Sequence, residues 1–252
     1  MRILIGTPAY GYQVTAEYHA SVLRAALHLA RTRPEITIES KTIGLSILAV
    51  SRNILANLVL QGDYTHLLFI DADMGFDAGL IEKMIDFGEP VVGCLPPSRK
   101  RNLSRIVDAA ARGAPRDQAL DAGLDYIGQP ALEGGRPQVR GDFLKAEVAG
   151  TGIMLIRREA LEEMRRRCPD LWSDDPGGMY QGIGLKGVLQ AFDPYRMANG
   201  LYTGEDVAFV RRWIERCGGE VWACWNARIV HVGREQVVGN YADRLAQLPD
   251  EA

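Results

Sequence analysis

The feature that most restricts the fold is an apolar run that leads directly into two acids. His66-Leu-Leu-Phe-Ile70 is the most apolar strand-like segment of the chain, and Asp71-Ala-Asp73 follows it at once. A short run of this kind is typical of a strand buried on both faces, as in sheets that are covered by helices. The two acids are therefore predicted to stand where a central strand ends.

Strand-like and helix-like segments alternate on both sides of this run. The predicted strands are Ile3–Ile5, Ile36–Ile38, His66–Ile70, Pro90–Cys94, Lys145–Val148, Ile153–Ile156, Glu220–Cys224 and Arg228–Val230, and the predicted helices are 16–31, 46–61, 78–87, 158–167 and 204–217. Asp77 is predicted to cap the N-terminus of the third helix. The alternation and the short connections favour an α/β fold, with a parallel, doubly wound sheet and helices on both faces.

Ligand sites in such sheets lie beyond the carboxyl ends of the strands. Three predicted strands end at polar or loop-forming residues in the first half of the chain. We therefore expect Pro8–Tyr10, Asp71–Asp73 and Cys94–Pro97 to surround one crevice.

Two segments interrupt the regular order of elements. Residues 96–142 lose their periodicity and are rich in Gly, Pro and Arg, which predicts an insertion or a lid. Residues 171–202 combine glycines with aromatic side chains and are predicted to be irregular and able to close over a ligand. We interpret the chain as one domain, made of residues 1–95, the insertion, residues 143–233 and a C-terminal tail, 234–252.

Composition and charge exclude several classes of protein. Of the 252 residues, 47% are hydrophobic and 24% charged, which argues against a disordered, collagenous or coiled-coil chain. The 29 basic and 32 acidic residues give a net charge of −3, so there is no global attraction to nucleic acid or to anionic membranes. The local basic cluster Arg99–Arg101 with Arg105 is interpreted as a solvated loop in preference to a phosphate-binding site.

The sequence also predicts the setting in which the chain acts. No window approaches the roughly 20 apolar residues of a membrane-spanning helix, and the first residues lack a signal-peptide pattern. The four cysteines are widely spaced, without a C-x-x-C pair, which favours free thiols in a reducing compartment. We therefore expect a cytoplasmic protein, with attachment to a membrane surface as an alternative.

Three motifs carry chemistry. Asp71 and Asp73 repel each other, and the repulsion is reduced if one of them is protonated, if the loop is mobile, or if a cation binds between them. Mg²⁺ and Mn²⁺ prefer oxygen ligands of this kind. Thr203-Gly-Glu-Asp206 places paired acids at the start of a helix, where they either act on a substrate or simply favour the positive helix end. His231 follows the last strand directly, as a metal ligand or as a structural residue.

In this order, the D-x-D, E-D and H-x-G motifs resemble those of the GT-A glycosyltransferases, particularly the family 2-like inverting enzymes. Ser51-Arg-Asn53, Leu67-Leu-Phe-Ile-Asp-Ala-Asp73 and Gly150-Thr-Gly-Ile-Met-Leu-Ile-Arg-Arg-Glu-Ala160 are further similar segments. The resemblance covers residues 1–95 and 143–233, and it implies the GT-A (Rossmann-like) fold, an α/β fold with a mixed, mostly parallel sheet and helices on both faces. The insertion has no counterpart, and the acid that the family carries after its second strand is missing near Thr42–Leu45.

The resemblance implies a role for each motif. Asp73 would be a direct ligand of Mn²⁺ or Mg²⁺, His231 a second ligand, and Asp71 a contact to metal, water or donor ribose. Asp206 would be the general base, which implies inversion, and Glu205 would orient the acceptor or cap the helix. The donor nucleotide would be bound in the first half of the chain by Pro8, Ala9, Tyr10, Arg52, Asn53, Asp71 and Ala72. The acceptor and sugar would approach the backbone at Gly150, Thr151 and Gly152, in the second, catalytic half.

The function expected on this basis is a soluble, metal-dependent, inverting glycosyltransferase. Its donor would be a UDP- or GDP-sugar and its acceptor a hydroxyl of a glycan, a lipid-linked sugar or another molecule, while the net acidity disfavours nucleic acid as a partner. One alternative is a sugar nucleotidyltransferase, which is disfavoured because Thr7–Tyr12 contains no Lys or Arg for a phosphate loop. The other is a non-catalytic nucleotide- or carbohydrate-binding module.

Overall fold

The computed structural model describes residues 1–233, so the predicted tail, 234–252, lies outside the described residues. The helices are α1 (Ala16–Thr32), α2 (Leu48–Gln61), α3 (Leu80–Phe87), α4 (Leu103–Ala111), α5 (Arg116–Ala122), α6 (Arg158–Arg167) and α7 (Glu205–Arg211), which continues as a π-helical turn, Arg212–Arg216. The strands are β1 (Arg2–Pro8), β2 (Thr37–Ile43), β3 (His66–Ile70), β4 (Met74–Phe76), β5 (Val91–Cys94), β6 (Pro97–Arg101), β7 (Leu124–Tyr126), β8 (Gly128–Pro130), β9 (Leu132–Glu133), β10 (Arg136–Pro137), β11 (Val139–Arg140), β12 (Phe143–Ala149), β13 (Ile153–Arg157), β14 (Trp172–Ser173), β15 (Val188–Leu189), β16 (Val221–Cys224) and β17 (Ile229–His231).

The central sheet has the strand order β11-β12-β16-β5-β13-β3-β1-β2, and β8 also pairs with β12. Strands β2, β1 and β3 are parallel, β13 runs antiparallel to both β3 and β5, β16 is parallel to β5, and β12 is antiparallel to β16. Strands β2, β1, β3, β5 and β16 thus point one way, and β13 and β12 point the other way. The predicted mixed, mostly parallel sheet is confirmed.

The core lies on both faces of this sheet because successive strand residues point to opposite faces. In β3, Leu67 and Phe69 pack with residues of α2, α6 and α7, whereas Leu68 and Ile70 pack with residues of α1 and α3. All five residues of β3 are buried, which explains the unbroken apolar run in the sequence. Helices therefore cover both faces, as predicted.

A strand pair that the sequence did not predict follows the D-x-D motif. Strand β4 begins immediately after Asp73 and pairs antiparallel with β17, with His231 opposite Met74. The predicted cap of the next helix is wrong. Helix α3 begins at Leu80 with Gly79 as its N-cap, and Asp77 contributes only its backbone carbonyl, which accepts the Leu80 N–H at 3.1 Å.

The segment 96–142 is built from short elements rather than irregular chain. It contains β6–β11, α4 and α5, and its strands β8 and β11 extend the central sheet by pairing with β12. Helices α4 and α5 bury only Ala109 and Ala119, respectively. These elements are short and expose most of their side chains, including the apolar Leu103 and Val107 of α4, so they contribute little to the core.

Residues 187–192, within the segment 171–202, belong to the core rather than to a lid. Val188, Leu189 and Phe192 are fully buried, and the Phe192 ring packs edge-on against Phe69 with centroids 5.3 Å apart. Asn57 of α2 fixes this stretch, since its amide donates to the Leu189 carbonyl and accepts from the Leu189 N–H, each at 2.9 Å. The expectation that residues 188–193 close over a ligand is therefore wrong.

The cysteines are free thiols, as predicted: Cys94, Cys168, Cys217 and Cys224 form no disulfide. Within residues 1–233, no helix combines the length and the apolar character needed to cross a membrane.

Candidate functional site

A cavity of about 450 Å³ opens beyond the carboxyl ends of β1 and β3. Its lining residues are Pro8, Ala9, Tyr10, Gln13, Val14, Thr15, Leu48, Asp71, Ala72, Asp73 and Arg99. The structure thus brings together the two strand ends that the sequence placed around one crevice. From the third strand end, Cys94 is fully buried in β5, and Pro97 reaches the site through its carbonyl oxygen.

The N-terminus of α1 holds the loop that carries the two acids. The N–H of Thr15 donates to the Ala72 carbonyl at 2.8 Å, and its hydroxyl donates to the same oxygen at 3.1 Å. The Thr15 hydroxyl also accepts the Tyr18 N–H and so caps the helix. Thr15 was not among the predicted site residues, although a threonine directly before a helical pattern is a usual cap signal.

Strand pairing brings His231 to Asp73. The Val232 N–H donates to the Asp73 carbonyl at 2.9 Å, which continues the β4–β17 ladder. As a result, His231 Nε2 lies 3.6 Å from Asp73 Oδ2. His231 Nδ1 lies 2.8 Å from the Pro97 carbonyl. Because a carbonyl only accepts, Nδ1 carries a proton, and in the neutral ring the lone pair of Nε2 accepts a hydrogen bond from Arg99.

Arg99 of β6 completes this group. Its Nε donates to His231 Nε2 at 3.0 Å, and its Nη2 lies 3.5 Å from Asp73 Oδ2. Arg99 is exposed to solvent, as predicted, but it lies in a strand rather than a loop, and its guanidinium contacts both predicted metal ligands. The available signal was its place in the sequence, shortly after the end of β5.

The charges of this group shift the acid–base properties of its members. Burial raises the pKa of Asp73, but the contact with His231 and the charge of Arg99 outweigh it, so the pKa is lowered. The Asp73 carboxylate, 3.6 Å from Nε2, favours the protonated imidazole and raises the pKa of His231, against the effect of burial. Asp73 is thus held as a carboxylate, which is the form that binds a cation.

The donor atoms at this point fit a divalent cation that is shared with a substrate. Within residues 1–233, no three His, Cys, Asp or Glu side chains are grouped to hold a metal ion. Asp73 and His231 nevertheless offer one carboxylate oxygen and one imidazole nitrogen that converge. Mg²⁺-type ions are usually held by one or two carboxylates together with substrate phosphates rather than by a complete protein cage.

Asp71 faces a different partner. Arg52 Nη2 donates to both oxygens of Asp71, at 2.9 and 3.1 Å, and Arg52 Nε donates to Glu205 Oε1 at 3.3 Å. The arrangement separates the two acids of the D-x-D motif, since Asp71 pairs with Arg52 and Asp73 with His231. It favours a positioning or ribose-binding role for Asp71 over metal ligation.

Arg52 and Asn53 do not line the cavity, contrary to expectation. Arg52 is 1% exposed and supports Asp71 and Glu205 from within the core. Asn53 is fully buried, and its amide hydrogens are donated to the Tyr180 hydroxyl and to Asp193. The Asn53 oxygen accepts the Phe192 N–H at 2.9 Å. Both side chains face the protein interior because they lie on the inner side of α2.

The Arg52 network also shifts the pKa of Asp71. Burial raises it, the charge and hydrogen bonds of Arg52 oppose the rise, and the nearby charges of Asp73 and Glu205 add to it. The net shift is upward. Arg52 therefore favours the ionised form of Asp71 against the effect of burial.

The carboxylate of Asp206 lies close to the backbone of two glycines, Gly204 and Gly150. A Cβ atom on Gly204 would lie 2.9 Å from Asp206 Oδ1, and one on Gly150 would lie 3.6 Å from Asp206 Oδ2. Asp206 Oδ1 accepts the Val207 N–H at 2.7 Å. Burial and the charge of Glu205 raise the pKa of Asp206. A half-buried carboxylate with a raised pKa is the form that a general base requires.

Residues 150–152 connect β12 to β13 beneath these acids. The Gly152 carbonyl accepts the Asp71 N–H at 2.8 Å, and a Cβ on Gly152 would lie 2.6 Å from the Met74 methyl group. Thr151 is 1% exposed, and its hydroxyl has no hydrogen-bond partner among the described residues. The structure thus places Gly150 next to Asp206 and Gly152 next to Asp71. Residues 150–152 are all buried.

The molecule therefore belongs to the class of mixed α/β proteins whose acidic and histidine side chains meet at the carboxyl ends of central strands. Neither a protein-family model nor a curated protein matches the chain.

Solved structures align with the chain at low similarity. The crystal structure of A197 from STIV aligns at 19% identity and a TM-score of 0.46, over 93% of this chain and 87% of that one. The structure of S. aureus TarS 1–349 in complex with UDP-GlcNAc aligns at 9% identity and a TM-score of 0.42, over 94% of this chain and 60% of that one. TarS 1–349 with UDP aligns at 11% identity and a TM-score of 0.36, over 90% and 58% of the two chains. At these scores, the fold class stands on the strand topology described above.

Proposed function

We propose that this protein is a metal-dependent, inverting glycosyltransferase that moves a sugar from a nucleoside-diphosphate sugar to an acceptor hydroxyl. The observation that carries the proposal is the approach of His231 Nε2 to within 3.6 Å of Asp73 Oδ2, at the edge of a cavity beyond two strand ends. A carboxylate oxygen and an imidazole nitrogen are both ligands for divalent cations, and here they meet from distant parts of the chain.

The cavity suits the nucleotide of such a donor. Tyr10 is 77% exposed at its rim and offers an aromatic face for the base, and Pro8 and Ala9 form the adjoining wall. Asp71 lines the same cavity while both of its oxygens accept from Arg52, which leaves further lone pairs for ribose hydroxyls. Asp73 and His231 would hold the metal beside the diphosphate.

The chain's own groups would perform the transfer as follows. A bound Mn²⁺ or Mg²⁺ would neutralise the charge that develops on the leaving diphosphate. Asp206 accepts the proton of the acceptor hydroxyl as that oxygen attacks the anomeric carbon from the face opposite the diphosphate. Such a base contributes about 10²–10⁴-fold to the rate, and attack from the opposite face inverts the configuration. Glu205, held by Arg52, orients the acceptor beside Asp206.

Thermal stability tests the binding half of this proposal. A nucleotide at a hundredfold excess over its Kd stabilises the folded state by about 2.7 kcal/mol. For a chain of this length that corresponds to a rise of about 5–10 °C in Tm. We expect UDP or GDP with Mn²⁺ to produce such a rise, and Asp73→Asn to abolish it. Asp77→Asn is the matched control, because Asp77 is an exposed acid on the same stretch of chain. An equal rise in the Asp73→Asn variant would refute the metal assignment.

Product analysis separates the proposed function from its alternatives. A glycosyltransferase releases nucleoside diphosphate from the nucleotide sugar, and even without an acceptor it hydrolyses the donor slowly. A nucleotidyltransferase instead releases pyrophosphate from a nucleoside triphosphate, and a binding module releases neither product. The absence of diphosphate release across a panel of UDP- and GDP-sugars with Mn²⁺ would contradict the proposal.

A further inference from the structure

We propose that Arg99 and a divalent cation are alternative occupants of the Asp73–His231 pair, so that a metal ion binds only when the Arg99 guanidinium leaves. Arg99 lies in the segment 96–142, which the resemblance to known glycosyltransferases does not cover. The inference rests on the metal site of the proposed function, but its test requires neither nucleotide nor sugar.

The guanidinium of Arg99 contacts both metal-binding atoms. Its Nε lies 3.0 Å from His231 Nε2, and its Nη2 lies 3.5 Å from Asp73 Oδ2. Among the described residues that line the cavity, Arg99 has the only cationic side chain. The guanidinium therefore neutralises Asp73 in the same position where a metal ion would do so.

Exclusion follows from the chemistry of the imidazole ring. With its Nδ1 proton directed at the Pro97 carbonyl, His231 has a single lone pair, on Nε2. That lone pair accepts the Arg99 N–H, and a metal ion requires the same lone pair for coordination. One lone pair cannot serve both, and the two cations would also repel each other at this distance.

Asp73 and His231 are held more firmly than the Arg99 side chain that contacts them. Asp73 and His231 are fixed by the ladder between β4 and β17. The Arg99 side chain is 59% exposed and projects from the short strand β6. Arg99 is thus the partner that can move, and after it moves, its charge remains at the cavity edge, where a diphosphate would bind.

Binding of Mn²⁺ alone tests the proposal, measured by the loss of the free Mn²⁺ signal in electron paramagnetic resonance. We expect Arg99→Gln and Arg99→Met each to bind Mn²⁺ at least about tenfold more tightly than the unaltered protein, because a hydrogen bond to a charged group no longer competes. Lys100→Gln is the matched control, since Lys100 is the exposed neighbouring cation, and its Mn²⁺ affinity should stay within about twofold. Adding Asp73→Asn to Arg99→Gln should remove the gain.

Several results would overturn the inference. Equal or weaker Mn²⁺ binding by both Arg99 variants, with unchanged Tm, would show that Arg99 does not compete. The same conclusion follows if neither variant binds Mn²⁺ at millimolar concentration, or if Lys100→Gln gains as much affinity as Arg99→Gln. Tight Mn²⁺ binding by Arg99→Gln without release of nucleoside diphosphate from any sugar donor would uphold this inference while refuting the proposed function.

Discussion

Replacing Arg52 with methionine tests how the acidic site is kept in place. The guanidinium, 1% exposed, donates to Asp71 and Glu205 and lies over the Phe69 ring, with its central carbon 5.1 Å from the ring centroid. Methionine retains much of the apolar stem and its packing but removes every N–H donor. Two partly buried carboxylates would then share one site without a counter-ion.

The expected cost follows from this burial. Removing one partner of a buried ion pair typically costs about 3–5 kcal/mol, because the remaining charge stays buried. The side chains of Asp71 and Glu205 are still 26% and 19% exposed, so water compensates in part, and we expect a loss near 3 kcal/mol at pH 7. In a chain of this length, that lowers Tm by about 6–12 °C.

The loss should depend on pH in a defined direction. The pKa of Asp71 is already raised by burial, and without Arg52 it rises further. A carboxyl group whose folded-state pKa is raised favours the folded state below its unfolded pKa, and this contribution is lost as the pH rises through the folded pKa. The difference in stability between Arg52→Met and the unaltered protein should therefore be small near pH 4 and largest at pH 7–8.

Urea unfolding at several pH values measures this difference. Arg105→Met is the matched control, because Arg105 pairs with Asp125 at the surface, with side chains 43% and 66% exposed. An exposed pair of this kind contributes under about 1 kcal/mol. A loss in Arg52→Met as small as that of the control, or a loss that does not change with pH, would refute the reasoning.

Three further predictions concern the geometry of the site. Asp206→Asn should lower transfer by about 10²–10⁴-fold while the nucleotide-dependent rise in Tm stays intact. In the unaltered protein, kcat/KM should fall on the acid side at a pH above the ordinary pKa of an aspartate, because burial raises the pKa of Asp206. A fall at or below about pH 4 would exclude Asp206 as the base. Gly204→Ala should lower transfer by about tenfold or more with little change in Tm, because the added Cβ would lie 2.9 Å from Asp206 Oδ1; unchanged turnover would contradict this placement. Thr15→Ala should cost about 1 kcal/mol in urea unfolding through loss of the helix cap, whereas Thr15→Ser should be nearly neutral, and equal losses in both variants would argue against the cap.

The central elements of the fold could be predicted from the sequence because their side-chain patterns are local. The predicted strand His66–Ile70 coincides with β3, and the predicted helices 16–31 and 158–167 match α1 and α6 to within a residue. Strand β3 is buried on both faces and is therefore apolar from Leu67 to Ile70, whereas α1 and α6 are buried on one face and carry apolar residues at helical spacing. The elements of the segment 96–142 were not predicted, because they are short and because α4 and α5 bury only one side chain each.

The sequence by itself indicated the acids at 71 and 73 and the histidine at 231 at the ends of predicted strands, and the acid pair 205–206 at the start of a predicted helix. Only the tertiary structure decided their partners. Asp71 pairs with Arg52, Asp73 faces His231, and Arg99 enters from a segment that the sequence pattern left out of the site. The physical reason is that side-chain periodicity is a local property. Pairing depends on strand registers and helix faces, which join residues such as Arg99 and His231 that lie 132 positions apart.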